Sequence, residues 1–299
     1  HASALNHFLT PTEREVFERT GYLIIHDAIE SSLHRRLLEV VDRVDTRERQ
    51  PEHGNRLLSV TDVIQEDHAM VELIDNPRVF PKLLTILGWN IYLYHSHLDV
   101  TPSENIQDQT WNVAWHQDSM RVNDEIESTP RPRLSVKIGY YLTDVSAPDH
   151  GNTLVVPGSH LTNSLDCPDD GISNPDEAIP LCLNPGDAVI LDRRVWHTRS
   201  SNTAGFPRKV IWYGYSYRWM RPKDEMTVAH LYHQLSPVQR QILGDATSAN
   251  SAYDPKPEDT PLKAWLEEHA PHLATASPHG NSDARPPAGG KRGSNIGRN

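Results

Sequence analysis

Apolar residues recur every three to four positions over the first third of the chain and then switch to alternation, which predicts helices followed by strands. Thr10-Pro11-Thr12-Glu13 reads as a helix start: Thr10 can cap, Pro11 suits the first helical position and Glu13 completes a capping box. The helix carries Val16 and Phe17 inward and ends near Gly21. Tyr22 to Ile25 predicts a short strand. Ser31 or Ser32 caps a second helix, with Leu33, Leu37, Val40, Val41 and Val44 on one face. After a polar loop from Arg47 to Asn55, helix returns over Met70 to Ile74 and Val79 to Leu87.

From about residue 90 the period is 2. Asn90–Val100, Trp111–Trp115, Leu134–Leu142, Thr153–Val156, Ala188–Asp192 and Arg208–Tyr217 read as short strands, aromatic and β-branched, divided by Pro and Gly. Such a run predicts a barrel or double-sheet jelly roll. Asp166 to Pro180 is acidic and proline-bearing and reads as a long loop. Helical pattern resumes over Val228–Leu235, Pro237–Leu243 and Pro261–Glu268. Residues 277–299 are rich in Gly, Pro and Ser and are expected to be a disordered tail. The expected layout is one domain over 1–276: a helical cover at about 10–88, a β-core at about 90–219 and C-terminal helices at about 220–272.

Composition narrows the partners. The 29 Lys and Arg against 40 Asp and Glu leave a net charge of −11, the wrong sign for a nucleic-acid or anionic-membrane binder. No apolar run approaches the length of a membrane span. His1 to Thr10 carry no apolar leader segment. Cys167 and Cys182 are too few for a disulfide framework, so a reducing cytoplasm is expected, with a single Cys167–Cys182 bridge left open. A monomer or a homodimer fits equally.

Histidine is the outlier, at 17 residues. Imidazole is the commonest protein metal ligand. In His116-Gln117-Asp118, positions i and i+2 of an extended segment point one way, so a ring nitrogen and a carboxylate oxygen converge. A second His from another strand would complete a 2-His-1-carboxylate triad, the ligand set of non-haem Fe(II) with open sites for oxygen chemistry. His97-Leu98-Asp99 offers the same pattern, and spacing alone does not choose between them. His197 follows the apolar strand ending at Asp192 and is the candidate distal ligand. Arg208 lies 11 positions beyond it, where a guanidinium could grip a dicarboxylate in a two-pronged pair or simply sit at a strand edge.

Several runs, in order, resemble the phytanoyl-CoA dioxygenase family. They are Trp115-His116-Gln117-Asp118, Tyr141-Leu142-Thr143-Asp144-Val145, and His150-Gly151-Asn152-Thr153 leading to Pro157-Gly158-Ser159-His160. Asp192-Arg193-Arg194-Val195-Trp196-His197-Thr198 with Arg208, and Tyr213-Gly214-Tyr215-Ser216-Tyr217-Arg218-Trp219, continue the series. The resemblance spans roughly residues 8 to 270. It implies an Fe(II)- and 2-oxoglutarate-dependent oxygenase on a double-stranded β-helix, a mainly β jelly roll of cupin type with helical cover. It selects His116 and Asp118, with His197, as the metal ligands. Arg208 is then expected to hold the far carboxylate of 2-oxoglutarate, with His95, Thr153 and Thr198 (or Ser200) near the co-substrate. His160 is read as a residue that shapes its turn.

The resemblance further implies dioxygen as the oxidant source, with release of succinate and CO2. Related halogenases lack the acid that Asp118 supplies, so hydroxylation, desaturation or ring formation is expected over halogenation. No Lys/Arg cluster for a coenzyme A phosphate stands out, so a free small molecule or natural-product intermediate is the expected substrate. Lys137 and Arg121 are candidate contacts to an anionic substrate. Trp111, Trp115, Tyr141 and Trp212 either line its cavity or pack the barrel. The rival reading is a non-catalytic cupin-like binding protein, which would need no anion clamp at Arg208. A zinc hydrolase ranks lower, for no His-Glu-x-x-His is present.

Overall fold

Two antiparallel sheets face each other, and helices cover the outer face of the larger. The structure is a computed structural model that describes residues 7–104, 114–168 and 170–275. The chain opens with α1 (Pro11–Thr20), β1 (Tyr22–Ile25), α2 (Ser31–Glu48), β2 (Leu58–Thr61), α3 (His68–Glu72), α4 (Phe80–Leu87) and β3 (Ile91–Thr101). It continues with α5 (Met120–Glu125), β4 (Ser135–Tyr141), β5 (Thr153–Val155), β6 (Ile179–Pro180), β7 (Ala188–Asp192), β8 (His197–Arg199) and β9 (Arg208–Tyr217). It closes with α6 (Pro237–Ile242), α7 (Pro261–His269) and α8 (Pro271–Thr275). The large sheet runs β1-β7-β4-β9-β3-β2 and the small one β6-β5-β8.

Alternation gives the large sheet an outer face packed on helices and an inner face turned to the small sheet. On the outer face Val136, Ile138, Tyr140, Ile211, Tyr213 and Tyr215 join the main core with the helices. Three of those tyrosines end in hydrogen bonds to backbone carbonyls around α3. Tyr213 Oη donates to Met70 O at 2.7 Å, Tyr215 Oη to Ile74 O at 2.7 Å and Tyr140 Oη to Leu73 O at 3.2 Å. Each phenol thus buries its ring and satisfies its hydroxyl, fastening helix to sheet. The inner face shares a second, smaller core with the small sheet, formed by residues such as Tyr141, Val155, Val189, Leu191 and Trp212.

The expected helices and strands differ from the structure in identifiable places. The α1 capping box between Thr10 and Glu13 is present, and Gly21 takes the left-handed conformation at φ 82°. On α2 neither Ser31 nor Ser32 caps; Glu30 precedes the helix without a side-chain bond. The strand β2 lies in a stretch to which the sequence pattern assigns no element; it is four residues long and, among the described residues, pairs only with β3. Val228–Leu235 is a 3-10 turn over Ala229–Gln234 rather than an α-helix. Of the expected strand Trp111–Trp115, residues 111–113 lie outside the described residues, and His116 makes a lone bridge to His197. The tail 277–299 also lies outside them. Cys167 and Cys182 are free and exposed, so the bridge left open by the sequence is not formed. Among the described residues no helix is long and apolar enough to cross a membrane.

Candidate metal centre

Backbone pairing brings the two imidazoles together. His116 and His197 exchange both bridge hydrogen bonds: His116 N donates to His197 O at 3.1 Å, and His197 N to His116 O at 3.0 Å. Directly opposed residues of an antiparallel pair project to one side, and here the ring centroids lie 4.3 Å apart. Asp118 comes next on the same side. The residue between, Gln117, turns the other way: its amide donates to Thr162 O at 2.9 Å and Arg194 O at 2.6 Å. One ligand atom each from His116, Asp118 and His197 can be chosen so that all lie within 4.8 Å of one another.

Tautomers are fixed by the neighbours. His116 Nδ1 lies 2.8 Å from Ala114 O and His197 Nδ1 2.9 Å from Val195 O. A carbonyl only accepts, so each Nδ1 carries a proton and Nε2 is the atom each ring can offer to a metal. Burial lowers the His197 imidazole to about 4 despite the opposing pull of Asp118. Burial alone would raise the Asp118 carboxyl. Lys137, with Nζ 3.4 Å from Asp118 Oδ1, is the largest influence against it; His197, Lys223 and His116 add to it, and the group stays ionised far below its usual range. Two imidazoles whose Nε2 atoms are left free for a metal and one carboxylate fit a divalent metal of the non-haem iron type.

Beneath Asp118 its loop is tied to the fold. Asp118 N donates to Arg193 O at 2.9 Å, and Asn123 Nδ2 donates to Asp118 O at 3.1 Å. Arg193 closes the loop with two bonds to Asn123 Oδ1, at 3.0 and 2.6 Å. Neither Asn123 nor Arg193 was singled out from the sequence as a support for the metal acid. The buried Arg193 side chain has no local pattern that would reveal the role.

The inner face of the large sheet forms the facing wall. Trp212 sits mid-wall, stacked on His97 (centroids 6.2 Å apart), with Lys137 Nζ 4.9 Å above its ring. Arg208 is 2 % exposed, and its guanidinium carbon lies 5.5 Å from the Tyr141 ring centre. Among the described residues its Nε has no hydrogen-bond partner, and the nearest carboxylate oxygen, on Asp99, is 3.9 Å from Nη1. A permanently charged group buried with an unanswered donor is costly unless a ligand anion completes it. Thr153 is buried beside this cluster, its Oγ1 2.7 Å from Tyr141 Oη. Arg208, Tyr141 and Thr153 therefore form one group that suits a carboxylate.

The other sequence candidates separate. His95 lies on β3, its Nδ1 3.5 Å from Asp224 Oδ2 and its ring 4.7 Å from that of His97. His97 and Asp99 occupy the facing wall, apart from the triad. Thr198 pairs with Leu154, whereas His197 pairs with the inward Val155. Alternation turns Thr198 to the opposite side of β8 from His197, away from the co-substrate position expected for it. Tyr141 falls with Arg208 and not with the substrate contacts. Trp115 Nε1 donates to Asn174 Oδ1 at 3.2 Å, and Trp111 lies outside the described residues. Arg121 is exposed at the rim, paired with Glu125 at 2.8 Å. His160, read as a turn residue, is buried with Nε2 3.1 Å from Glu18 O.

A cavity of about 500 Å³ opens beside the triad, between α5 and the segment after β9. Sequence reading missed its second wall, which holds Met220, Arg221 and Lys223. A signal was present: Arg218, Arg221 and Lys223 place three cations in six residues of an acidic chain.

The phytanoyl-CoA dioxygenase family model matches residues 17–210. The chain belongs to the phytanoyl-CoA dioxygenase family. As a member of that family it is a 2-oxoglutarate-dependent non-haem iron dioxygenase, with iron and 2-oxoglutarate as cofactors. An ectoine dioxygenase of Nocardia farcinica is 24% identical over 226 residues, 65% of this chain and 74% of the relative. Dioxygenase af480 of Aspergillus fumigatus is 33% identical over 129 residues, 40% of each chain. Among solved structures, HygX of Streptomyces hygroscopicus with nickel and 2-oxoglutarate bound aligns at TM-score 0.57 and 17% identity, over 71% of this chain and 89% of its own. The carbocyclase SnoK from nogalamycin biosynthesis aligns at 0.55 and 20%, over 77% and 92%. These two likenesses show the shared jelly-roll fold of this phytanoyl-CoA dioxygenase family member.

Proposed function

We propose that this dioxygenase oxidises, most simply by hydroxylation, an unactivated C–H bond of a small molecule or natural-product intermediate. The observation that carries the reading is the convergence of His116, Asp118 and His197 on one wall while the buried, unanswered Arg208 stands on the other. His116 Nε2, His197 Nε2 and an Asp118 oxygen would hold iron, and Arg208 with the Tyr141–Thr153 hydroxyl pair would take the far carboxylate of 2-oxoglutarate. When bound, iron and 2-oxoglutarate supply with dioxygen the oxidant for C–H cleavage, and 2-oxoglutarate leaves as succinate and CO2.

The chain's own residues supply placement. The backbone bonds at both Nδ1 atoms keep the imidazoles from rotating, which holds ligand geometry through turnover. Lys137 keeps Asp118 anionic before metal arrives. Asp118 fills the position that halogenation would leave open, which supports oxygen transfer to carbon. Arg208 disfavours the rival of a non-catalytic metal binder, for such a protein has no use for a buried anion clamp.

Anaerobic Fe(II) followed by 2-oxoglutarate should produce a weak visible charge-transfer band on the full chain. His116→Ala and Asp118→Ala should each abolish it while leaving the fold intact by circular dichroism. Retention of the band in both variants, with loss in His97→Ala, would place the metal on the facing wall instead.

A further inference from the structure

The metal-side cavity collects positive charge in a chain that is −11 overall. On its lining Arg121 comes from α5, where it pairs with Glu125, and Arg221 and Lys223 come from the segment after β9; Lys137 of β4 reaches Asp118 without lining the cavity. Among the described residues the carboxylate on its lining is Asp118 alone, and Lys137 is paired with it. Neither Arg221 nor Lys223 makes an ion pair within 4.0 Å among the described residues, and the nearest acid to Lys137 is Asp118 itself. Asp224 is occupied elsewhere, accepting from Ser96 N at 2.6 Å with His95 beside it. The segment is also held in place: Lys223 N donates to Tyr94 O at 2.8 Å, pinning the basic rim to β3. Arg221 and Lys223 are like charges without a counter-ion among the described residues, so an anion that enters between them relieves their repulsion. Met120 and Met220 line the same space with adaptable apolar surface.

We propose that this cavity takes a substrate bearing an acid group, a carboxylate or a phosphate monoester, held by Lys223 and Arg221 at the rim, its apolar part lying against the two methionines and its reactive carbon toward the triad. The proposal rests on the oxygenase reading for the identity of the triad, but its charge argument does not require metal. The acid group is distinct from the far carboxylate of 2-oxoglutarate, which belongs to Arg208 on the other wall.

Matched pairs test it on the full chain, both metal-free and loaded with Ni(II) and 2-oxoglutarate. Hexanoate is compared with hexanamide, and hexyl phosphate with hexanol, by calorimetric titration. At least one acid should bind tenfold or more tighter than its neutral partner, and the better of the two acids identifies the group. The double variant Lys223→Gln/Arg221→Gln should close that gap to threefold or less, while Lys223→Arg/Arg221→Lys should keep it. Equal binding of both acids and their neutral partners overturns the proposal, as does a gap that survives the double Gln variant. If nickel and 2-oxoglutarate fail to bind, the oxygenase reading falls, and the metal-free titration still decides the acid preference.

Discussion

Arg208 shows how a single side chain separates a binding wall from a packing wall. Its guanidinium cannot discharge, is nearly cut off from water, and among the described residues meets no carboxylate at hydrogen-bond distance. Removing one partner of a desolvated charged pair costs about 2–5 kcal/mol. Arg208→Ala should therefore raise the 2-oxoglutarate concentration for half-saturation by roughly one to three decades. Arg208→Lys should recover part of that, since a point charge replaces a fork. Titration of the nickel-loaded variants reads the effect directly, and an unchanged requirement would remove Arg208 from the co-substrate site. At this scale the sequence was informative but ambiguous. His116-Gln117-Asp118 and His97-Leu98-Asp99 have the same local geometry, and pairing with His197 distinguishes them. That pairing joins residues 81 positions apart, which no local pattern reports.

Strands were legible where they were long and alternating. β4 and β9 carry their parity openly, because one side packs on helices and the other looks into the barrel, whereas β7 shows as a continuous apolar run buried on both faces. β8, at three residues, has too few positions for a period, although it carries His197 and lies beside the second imidazole. The basic rim falls at the start of the stretch expected to hold the C-terminal helices, and its partner across the cavity comes from α5, far away in sequence. Gly139 shows what the element scale adds. A Cβ there would stand 2.6 Å from Trp212 Cζ3, against a ring already confined by His97 and Lys137. Its backbone is not left-handed, so alanine is permitted and on backbone grounds alone should stabilise the strand. Overpacking should reverse that sign: Gly139→Ala should lose about 1–3 kcal/mol, measured by urea unfolding with Trp fluorescence. A neutral or stabilising result would mean that Trp212 yields without cost and does not fix the wall between Lys137 and Arg208.

Across the whole molecule, one buried network joins the helical cover to the sheet behind the metal centre. Asp192, at the end of β7, accepts from Arg133 Nε at 2.6 Å and from Arg194 Nη2 at 2.7 Å. Arg133 reaches on to Glu18 of α1 at 2.7 Å. The cover could be expected from the apolar period of α1 and α2, but this tie could not, for each member reads alone as an ordinary charged residue. Burial by itself would raise the Asp192 carboxyl; the Arg194 and Arg133 interactions outweigh it and bring the group from 3.8 to about 2. A carboxylate depressed on folding adds stability above its unfolded pKa and loses it as pH falls through the folded value. The depression of nearly two units corresponds to about 2 kcal/mol at neutral pH, with roughly half gone by pH 3. Asp192→Asn cannot ionise and leaves Arg133 and Arg194 facing a neutral amide, so it should be less stable than wild type at pH 7. The Tm difference between the two proteins should stay constant from pH 7 to about 5 and narrow progressively from pH 4 to 3. Comparing the pair cancels the acid sensitivity that the remaining carboxylates impose on both. A difference that holds undiminished to pH 3 would show that Asp192 contributes through shape and hydrogen bonding alone, and that the charge linking α1 to β7 does not stabilise the fold.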